Sequence, residues 1–357
     1  MAVVLGIETS CDDTSVAVLD GTRQLSLITQ NHLHEHVKYG GIVPEVASRQ
    51  HMKAIGAVYR SALDSAQINP TDIDLIAATR GPGLAGSLIV GFNFARGLST
   101  ALSKPLVSVN HLEGHVYACW IGDNQHIPPS FPCVCLVVSG GHTELTVMDD
   151  DGYHRLLGRT RDDAAGEAFD KVARIMGLGF PGGPAIERYA ELLGDMSAYN
   201  LPRAWLADSM DFSFSGLKTA VYRARNGLLG PTEERRIFKD GSYLDFQGLK
   251  RDSIVRMAAG FQESVVDVLT EKSAAAVKQV GAVSMVLAGG VAANTALRKS
   301  IKAKVGVPCF MPKMEHCMDN AAMIAMAGSI RWHSQMDHNL LYQDVDINPS
   351  LELGSGY

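Results

Sequence analysis

Val3-Val4-Leu5-Gly6-Ile7-Glu8-Thr9-Ser10-Cys11-Asp12-Asp13-Thr14-Ser15-Val16-Ala17-Val18-Leu19 places two apolar runs on either side of a short polar one. A short apolar run bounded by turn residues reads as a buried strand, so 3–7 and 15–19 are predicted strands joined by a polar turn. The pattern returns much later. Pro132-Cys133-Val134-Cys135-Leu136-Val137-Val138 is a second apolar strand, Ser139-Gly140-Gly141-His142-Thr143-Glu144 a second small polar turn, and 145–148 a second return strand. Each copy is followed by a later strand that runs into glycines. In the first, 73–79 leads to Gly81-Pro82-Gly83-Leu84-Ala85-Gly86; in the second, 284–288 leads to Gly289-Gly290-Val291-Ala292-Ala293-Asn294. Repeated units of this kind predict a duplicated α/β lobe with a cleft between the copies.

The rest of the chain fits crossover helices between those strands. Residues 44–65 carry Val46, Ile55, Val58, Ala62 and Leu63 near helical spacing, 86–102 is small and apolar, and 251–278 is a long amphipathic run. The linker signal is strongest at Asp123-Asn124-Gln125-His126-Ile127-Pro128-Pro129-Ser130. The expected domains are a first lobe over 1–129, a second over 130–318, and a final helix and tail over 319–357 packing back toward the first. The Gly-, Pro- and charge-rich stretch 227–247 reads as an inserted loop or short hairpin, and 336–357 as a tail.

Composition excludes several classes. With 357 residues, 46% of them apolar and 20% charged, the chain has the profile of a soluble globular protein. The first residues lack a basic n-region, and no apolar stretch is long enough to span a bilayer, so a cytoplasmic location is expected. The six cysteines form no CxxC pair and are expected to be reduced. A net charge of −6 argues against coating nucleic acid unaided, leaving room for a local basic patch or for a partner that supplies one.

The glycine turns suggest an anion. Small residues let backbone N–H groups approach a phosphate, and a hydroxyl such as Thr9 or Ser139 adds a donor. Two such turns in duplicated positions, with 289–294 after a later strand, point to a nucleotide. Neither GxGxxG nor GxxxxGK[ST] is present, so this is neither a dinucleotide-binding domain nor a P-loop ATPase by motif. In Arg161-Asp162-Asp163-Ala164-Ala165-Gly166-Glu167-Ala168-Phe169-Asp170-Lys171 the first two acids read as helix N-terminal charges. Asp170, near Phe180-Pro181-Gly182-Gly183-Pro184, is placed to take ribose hydroxyls.

A second chemistry lies in His111-Leu112-Glu113-Gly114-His115. Histidines at i and i+4 share a helical face, and 105–109 reads as a strand that delivers His111 at its end. Two imidazoles invite a transition metal and need a carboxylate from elsewhere. Asp319, before the small-residue helix 321–327, is best placed. A helix N-cap is its structural alternative, and His142, Glu144, Glu315 and His316 are rival ligands. The pentapeptide is not the HExxH motif, because Glu113 comes two residues after the first histidine and would point away from the imidazole face.

Several strings coincide: Gly6-Ile7-Glu8-Thr9-Ser10-Cys11-Asp12, His111-Leu112-Glu113-Gly114-His115, Val138-Ser139-Gly140-Gly141-His142-Thr143, Asp163-Ala164-Ala165-Gly166-Glu167-Ala168-Phe169-Asp170-Lys171, Asp211-Phe212-Ser213-Phe214-Ser215-Gly216-Leu217-Lys218-Thr219 and Asp319-Asn320-Ala321-Ala322-Met323. Together, over about residues 3–331 and in order, they closely resemble the bacterial TsaD family, the tRNA threonylcarbamoyladenosine transferases. The resemblance implies an actin- and Hsp70-like ATPase fold. It also implies transfer of the threonylcarbamoyl group from threonylcarbamoyl-AMP to N6 of the adenosine just 3′ of the anticodon, in tRNAs reading codons that begin with A. By that resemblance His111, His115 and Asp319 are metal ligands for one divalent ion per chain, Fe(II) first and Zn second. Val137, Val138, Ser139, Gly140 and Gly141 contact the acyl-phosphate part of the intermediate. Asp170, Gly183, Glu187 and Asn294 contact its nucleoside, and Asp12 stands beside the reacting groups. Archaeal and eukaryotic relatives place a metal-coordinating tyrosine where this chain has Val137, which leaves that position to water or substrate. The implied partners are tRNA, a TsaB-like paralogue docking on the first lobe, for which 44–65 is the expected face, and a TsaE-like P-loop ATPase. Members of the family were long labelled glycoprotein endopeptidases, so a metallo-endopeptidase is the alternative activity. A non-catalytic nucleotide-binding subunit and a sugar kinase of the same fold are the others.

Overall fold

The computed structural model describes residues 2–37, 39, 41–122, 129–150, 152–228, 251–334 and 345–354. Contacts divide the chain into two units, Met1–Pro128 with Met311–Tyr357, and Pro129–Phe310.

In unit 1, β1 (Val3–Glu8) and β2 (Asp13–Asp20) pair antiparallel, with Val3 opposite Asp20 and Glu8 opposite Ser15. β3 (Arg23–Asn31) extends the sheet beside β2. A short α1 (Leu33–Val37) and a long α2 (Pro44–Ala66) follow, then β4 (Leu75–Gly81), α3 (Ala85–Leu102), β5 (Leu106–Asn110) and α4 (His111–Tyr117). The strand order is β3-β2-β1-β4-β5, with β4 parallel to both β1 and β5. Alternation along β1 divides its faces. Leu5 and Ile7 join Val16, Val18, Ile55, Val58 and Phe92 in one buried cluster that includes α2 and α3. Gly6, one residue over, meets the helix that will be called α10 below. A Cβ there would lie 2.1 Å from Ala321 O, so only glycine allows this approach.

Unit 2 repeats the plan. β6 (Cys133–Val138), β7 (Thr143–Met148) and β8 (His154–Arg159) form a meander, followed by α5 (Ala165–Met176), α6 (Gly182–Ala190), α7 (Ser215–Leu228) and α8 (Arg251–Val280). β9 (Ser284–Ala288), α9 (Thr295–Lys304) and β10 (Cys309–Phe310) complete it. Its sheet runs β10-β9-β6-β7-β8, which read backwards is the order of unit 1, strand for strand. The chain then returns to unit 1 with α10 (Ala321–Ser334), whose small and apolar residues are buried nearly all round.

Two expectations change. Residues 311–318 were expected in the second lobe but belong to unit 1, where His316 Nε2 lies 2.9 Å from Gln24 Oε1. The terminal stretch expected to be a tail contributes a strap to unit 1 over 345–354. There Asn348 N donates to Arg80 O at 3.0 Å, Gly83 N to Pro349 O at 3.1 Å, and Leu351 and Leu353 are buried. Two leucines and backbone bonds anchor it, which leaves no periodicity to read. Most of the linker (123–128), most of the insert and its flank (229–250), and 335–344 and 355–357 lie outside the described residues.

Candidate metal centre and phosphate turn

β5 ends at Asn110, whose Oδ1 accepts the Leu112 N–H at 2.9 Å and starts α4. A capped start fixes the helix rotation, so His111 and His115 share one face. Their rings meet edge to face with centroids 4.7 Å apart. Between them Gly114 lets α4 close on α10, since a Cβ would come within 2.7 Å of Ile324 Cδ1. The carboxylate arrives from the turn before α10. Asn320 takes a capping role beside Asp319, its Oδ1 accepting the Met323 N–H at 3.0 Å. Asp319 Oδ1 lies 3.1 Å from His115 Nε2 and 3.5 Å from His111 Nε2.

One donor atom from each of His111, His115 and Asp319 lies within 4.8 Å of the others, the one such trio among the described residues. His142 and Glu144 belong to unit 2, and neither Glu315 nor His316 joins the group. His115 is fully buried, and neither ring nitrogen makes a hydrogen bond of acceptable geometry. A buried imidazole with unspent nitrogens, beside a second imidazole and a carboxylate, is what a divalent ion satisfies, so these residues fit a metal.

Glu8 completes the arrangement, and sequence reasoning missed it. Its Oε2 lies 3.0 Å from His111 Nδ1 and accepts the Thr79 hydroxyl at 2.7 Å; its Oε1 accepts the Ser10 N–H. A carboxylate on the far nitrogen of a ligating histidine fixes the ring and its tautomer, leaving Nε2 for the metal. Burial opposes charge on His111, yet the Asp319 and Glu8 carboxylates outweigh it and lift the imidazole to about 9. Burial likewise opposes charge on Glu8, and the His111 charge and hydrogen bond hold its carboxyl below the ordinary range. A cation held by these residues would take the place of the His111 proton. Glu113 plays no part in this face; Arg331 Nη1 lies 3.7 Å from its Oε2.

Asp12 sits half-buried in the β1–β2 turn. Burial, then the Asp12 and Asp319 charges, push the neighbouring Asp13 up to about 7. Burial, then the Asp319 and Asp12 charges, raise the Cys11 thiol as well. The turn is thus a region of strongly negative potential, suited to a cation.

In unit 2 Val137 and Val138 end β6, fully buried, and Ser139, Gly140 and Gly141 form the turn to β7. Ser139 Oγ accepts the His142 N–H at 3.1 Å, and Ser139 O accepts the Gly166 N–H at 3.2 Å. The N-terminus of α5 therefore lies against the turn; a Cβ on Gly166 would come 2.5 Å from Ser139 O. Gly140 and Gly141 face open space. Ser139 N–H donates to His142 O at 2.8 Å, so the Gly140 and Gly141 backbone beside the start of α5 is the part suited to an anion. Gly289, at φ +90, brings the later glycine turn to the same end of the sheet, where its Cβ would meet Val138 O at 2.4 Å.

The four residues assigned to a nucleoside cluster around α6. Asp170 Oδ1 accepts the Gly182 N–H at 2.7 Å, which holds the helix start. Gly183 and Glu187 follow one turn apart on α6, and Glu187 Oε1 accepts the Thr295 N–H at 2.7 Å. Asn294 caps α9 by accepting the Leu297 N–H at 2.9 Å and donates Nδ2–H to Gln262 Oε1 at 2.8 Å. The acids expected to start α5 act elsewhere. Asp162 Oδ1 accepts the Phe214 N–H at 2.8 Å and its Oδ2 the Ser215 hydroxyl at 2.7 Å, so it caps α7. Asp163 holds Lys171, with Nζ 2.6 Å from Oδ1.

Comparison with known proteins gives the family and the fold. The profile of the TsaD family, tRNA N6-adenosine threonylcarbamoyltransferase, matches residues 23–326. A protein of that name from Thermomicrobium roseum is 51% identical, covering 98% of this chain and 97% of that one. Another from Dehalococcoides mccartyi is 46% identical over 99% of both. Among solved structures, component A of Acidaminococcus fermentans (R)-2-hydroxyglutaryl-CoA dehydratase matches with TM-score 0.54 and 15% identity, covering 93% of this chain and 99% of that one. Full-length HypF in its phosphate- and nucleotide-bound form gives TM-score 0.54 and 13% identity, covering 94% of this chain and 47% of that one. At those identities the likeness shows the shared fold alone, the duplicated α/β architecture of actin-like ATPases.

Proposed function

The chain belongs to the TsaD family of tRNA N6-adenosine threonylcarbamoyltransferases, and on that premise we propose how its residues divide the transfer. The enzyme is an acyltransferase: the threonylcarbamoyl group passes from threonylcarbamoyl-AMP to N6 of the adenosine just 3′ of the anticodon, in tRNAs reading codons that begin with A. The donor is a mixed anhydride, already activated, so no covalent nucleophile is required. N6 attacks the carbamoyl carbon, the bond from that carbon to the phosphate oxygen breaks, and AMP departs.

His111, His115 and Asp319 would hold one divalent ion, Fe(II) by preference and Zn second, because two imidazoles and one carboxylate leave coordination positions open. When bound, the ion supplies Lewis acidity to the carbonyl or phosphate. Gly140 and Gly141 bind the phosphate through backbone N–H groups and ease the departure of AMP, with Ser139, whose own N–H donates to His142 O at 2.8 Å, closing the turn and Val137 and Val138 as the strand beneath. Asp170, Gly183, Glu187 and Asn294 contact the nucleoside. Asp12 accepts the proton that N6 gives up. Glu8 touches no substrate and acts as a positioning residue through His111. The endopeptidase alternative is not favoured, since Glu113 lies against Arg331. The non-catalytic alternative is not favoured either, since the trio is complete.

Among the described residues no helix is long and apolar enough to cross a membrane. We place the enzyme in the cytoplasm with its tRNA, a TsaB-like paralogue and a TsaE-like ATPase. α2 is the proposed paralogue face: Met52 on α2 and Ile89 on the adjoining α3 are exposed apolar side chains suited to a partner helix. The activity rests above all on the near-full-length identity to named relatives. Purified chain with its partners, threonylcarbamoyl-AMP and unmodified tRNA is expected to yield threonylcarbamoyladenosine, read by mass spectrometry of the digested tRNA. No product from the wild-type chain would overturn the reading.

A further inference from the structure

His51 is fully buried on the face of α2 that packs against the unit 1 sheet, a place where an aliphatic side chain ordinarily sits. Both of its nitrogens are engaged. Nε2 lies 3.0 Å from Cys11 O, and Nδ1 lies 2.8 Å from Thr14 Oγ1. The same hydroxyl lies 3.0 Å from Nε2 of His32, also buried. A carbonyl oxygen can only accept, and that one fact sets every other direction. His51 carries its proton on Nε2, its Nδ1 accepts from the Thr14 hydroxyl, and that hydroxyl accepts from His32 Nε2–H. Burial holds both imidazoles below their ordinary range, which leaves each with the single proton this arrangement needs.

We infer that His32, Thr14 and His51 form a one-way hydrogen-bond chain ending on the Cys11 carbonyl, and that His51 is a positioning residue for the turn that carries Asp12. The Cys11 carbonyl lies in the peptide plane shared with Asp12, so fixing that oxygen fixes where Asp12 begins. The preceding peptide is fixed from the other side, where Ser10 O accepts the Leu84 N–H at 2.8 Å. The Ser87 hydroxyl, 3.2 Å from Cys11 O, is the second donor to the same oxygen, and Ser87 O accepts the Thr9 hydroxyl at 2.8 Å. His51 reaches the turn from α2, which makes α2 a support of the reacting turn as well as of the core.

The catalytic half of this inference rests on Asp12 as proton acceptor; the hydrogen-bond half does not, and one experiment separates them. Histidine nitrogen NMR of the full wild-type chain at neutral pH is expected to show the Nε2–H tautomer for both His32 and His51. Thr14→Val, nearly isosteric but without a hydroxyl, is expected to lower kcat by roughly tenfold or more while KM for threonylcarbamoyl-AMP and bound Co(II) stay at wild-type values. Thr14→Ser restores the hydroxyl and rescues kcat. His51→Gln, whose amide N–H can replace Nε2–H, is expected to keep more activity than His51→Ala. A Nδ1–H tautomer at His51 overturns the chain. Wild-type kcat in Thr14→Val, or an equal loss in KM and Co(II) content, overturns the positioning role. If the wild-type chain makes no product, the proposed transfer fails, and the NMR result still decides the hydrogen-bond chain.

Discussion

Between β1 and β2 the turn with its flanking strand ends reads Glu8-Thr9-Ser10-Cys11-Asp12-Asp13; between β6 and β7, at the same place in the strand order, the turn itself reads Ser139-Gly140-Gly141-His142. In unit 1 that stretch carries three acids, Glu8, Asp12 and Asp13, and side chains from α2, α3 and β4 hold it. In unit 2 the turn is glycine beside a helix N-terminus, with open space where side chains would stand. One topology thus offers fixed negative charge in one copy and bare backbone donors in the other. Duplication supplies two equivalent turns, and their residues differ in the charge they present: carboxylates in one, glycine backbone in the other.

The comparison breaks most severely if the cation side is emptied. His111→Ala combined with His115→Ala is expected to abolish metal binding and reduce transfer on the order of a thousandfold or more. Metal content by elemental analysis and product by mass spectrometry check it, with threonylcarbamoyl-AMP binding expected to survive. Glu8→Gln is a milder break. It removes the charge that orients His111 while keeping the shape, and metal affinity should fall about 10- to 100-fold in a competition titration.

Unit 2 carries its own electrostatic weakness, away from its turn. His154 in β8 is fully enclosed, and burial depresses its pKa to about 4. As pH falls below the ordinary histidine value the unfolded chain takes a proton that the folded chain refuses. Stability is therefore complete above about pH 6.5 and declines toward pH 4, with about 2 kcal/mol lost by pH 5. Denaturant unfolding at the two pH values should show that loss, and His154→Gln should remove it. The smallest effect is expected from Gly141→Asp, which sharpens the contrast by moving an acid into the anion turn. The side chain has room, so the fold survives. Binding of threonylcarbamoyl-AMP should weaken roughly tenfold by calorimetry, with metal content unchanged.

Where burial is continuous the sequence was readable. β1, β2, β6, β7 and β9 show as apolar runs because both faces of each central strand are covered, and α2, α3 and α8 show through their apolar spacing. β3 was not readable, since Arg23–Asn31 lies at the sheet edge with partly exposed, largely polar residues. Nor was α6, which opens with Gly182-Gly183-Pro184 and imitates a loop; the Asp170 carboxylate that holds its first N–H is a tertiary partner. The histidine pair announced itself by local spacing. Glu8 did not, because its link to His111 spans most of unit 1, although its place at the end of β1 beside Asp12 was a signal. Asp162 misled for the same reason, capping a helix far along the chain instead of its own.

Unit 1 is built from both ends of the chain, with unit 2 inserted between Pro128 and Met311. During vectorial synthesis His111 and His115 leave the ribosome long before Asp319, and the strap at 345–354 emerges later still. A nascent or prematurely terminated chain therefore carries the imidazoles without their carboxylate, and its first sheet lacks α10 against Gly6. The trio can therefore assemble only after all of unit 2 has been synthesised, because Asp319 follows that unit in the chain.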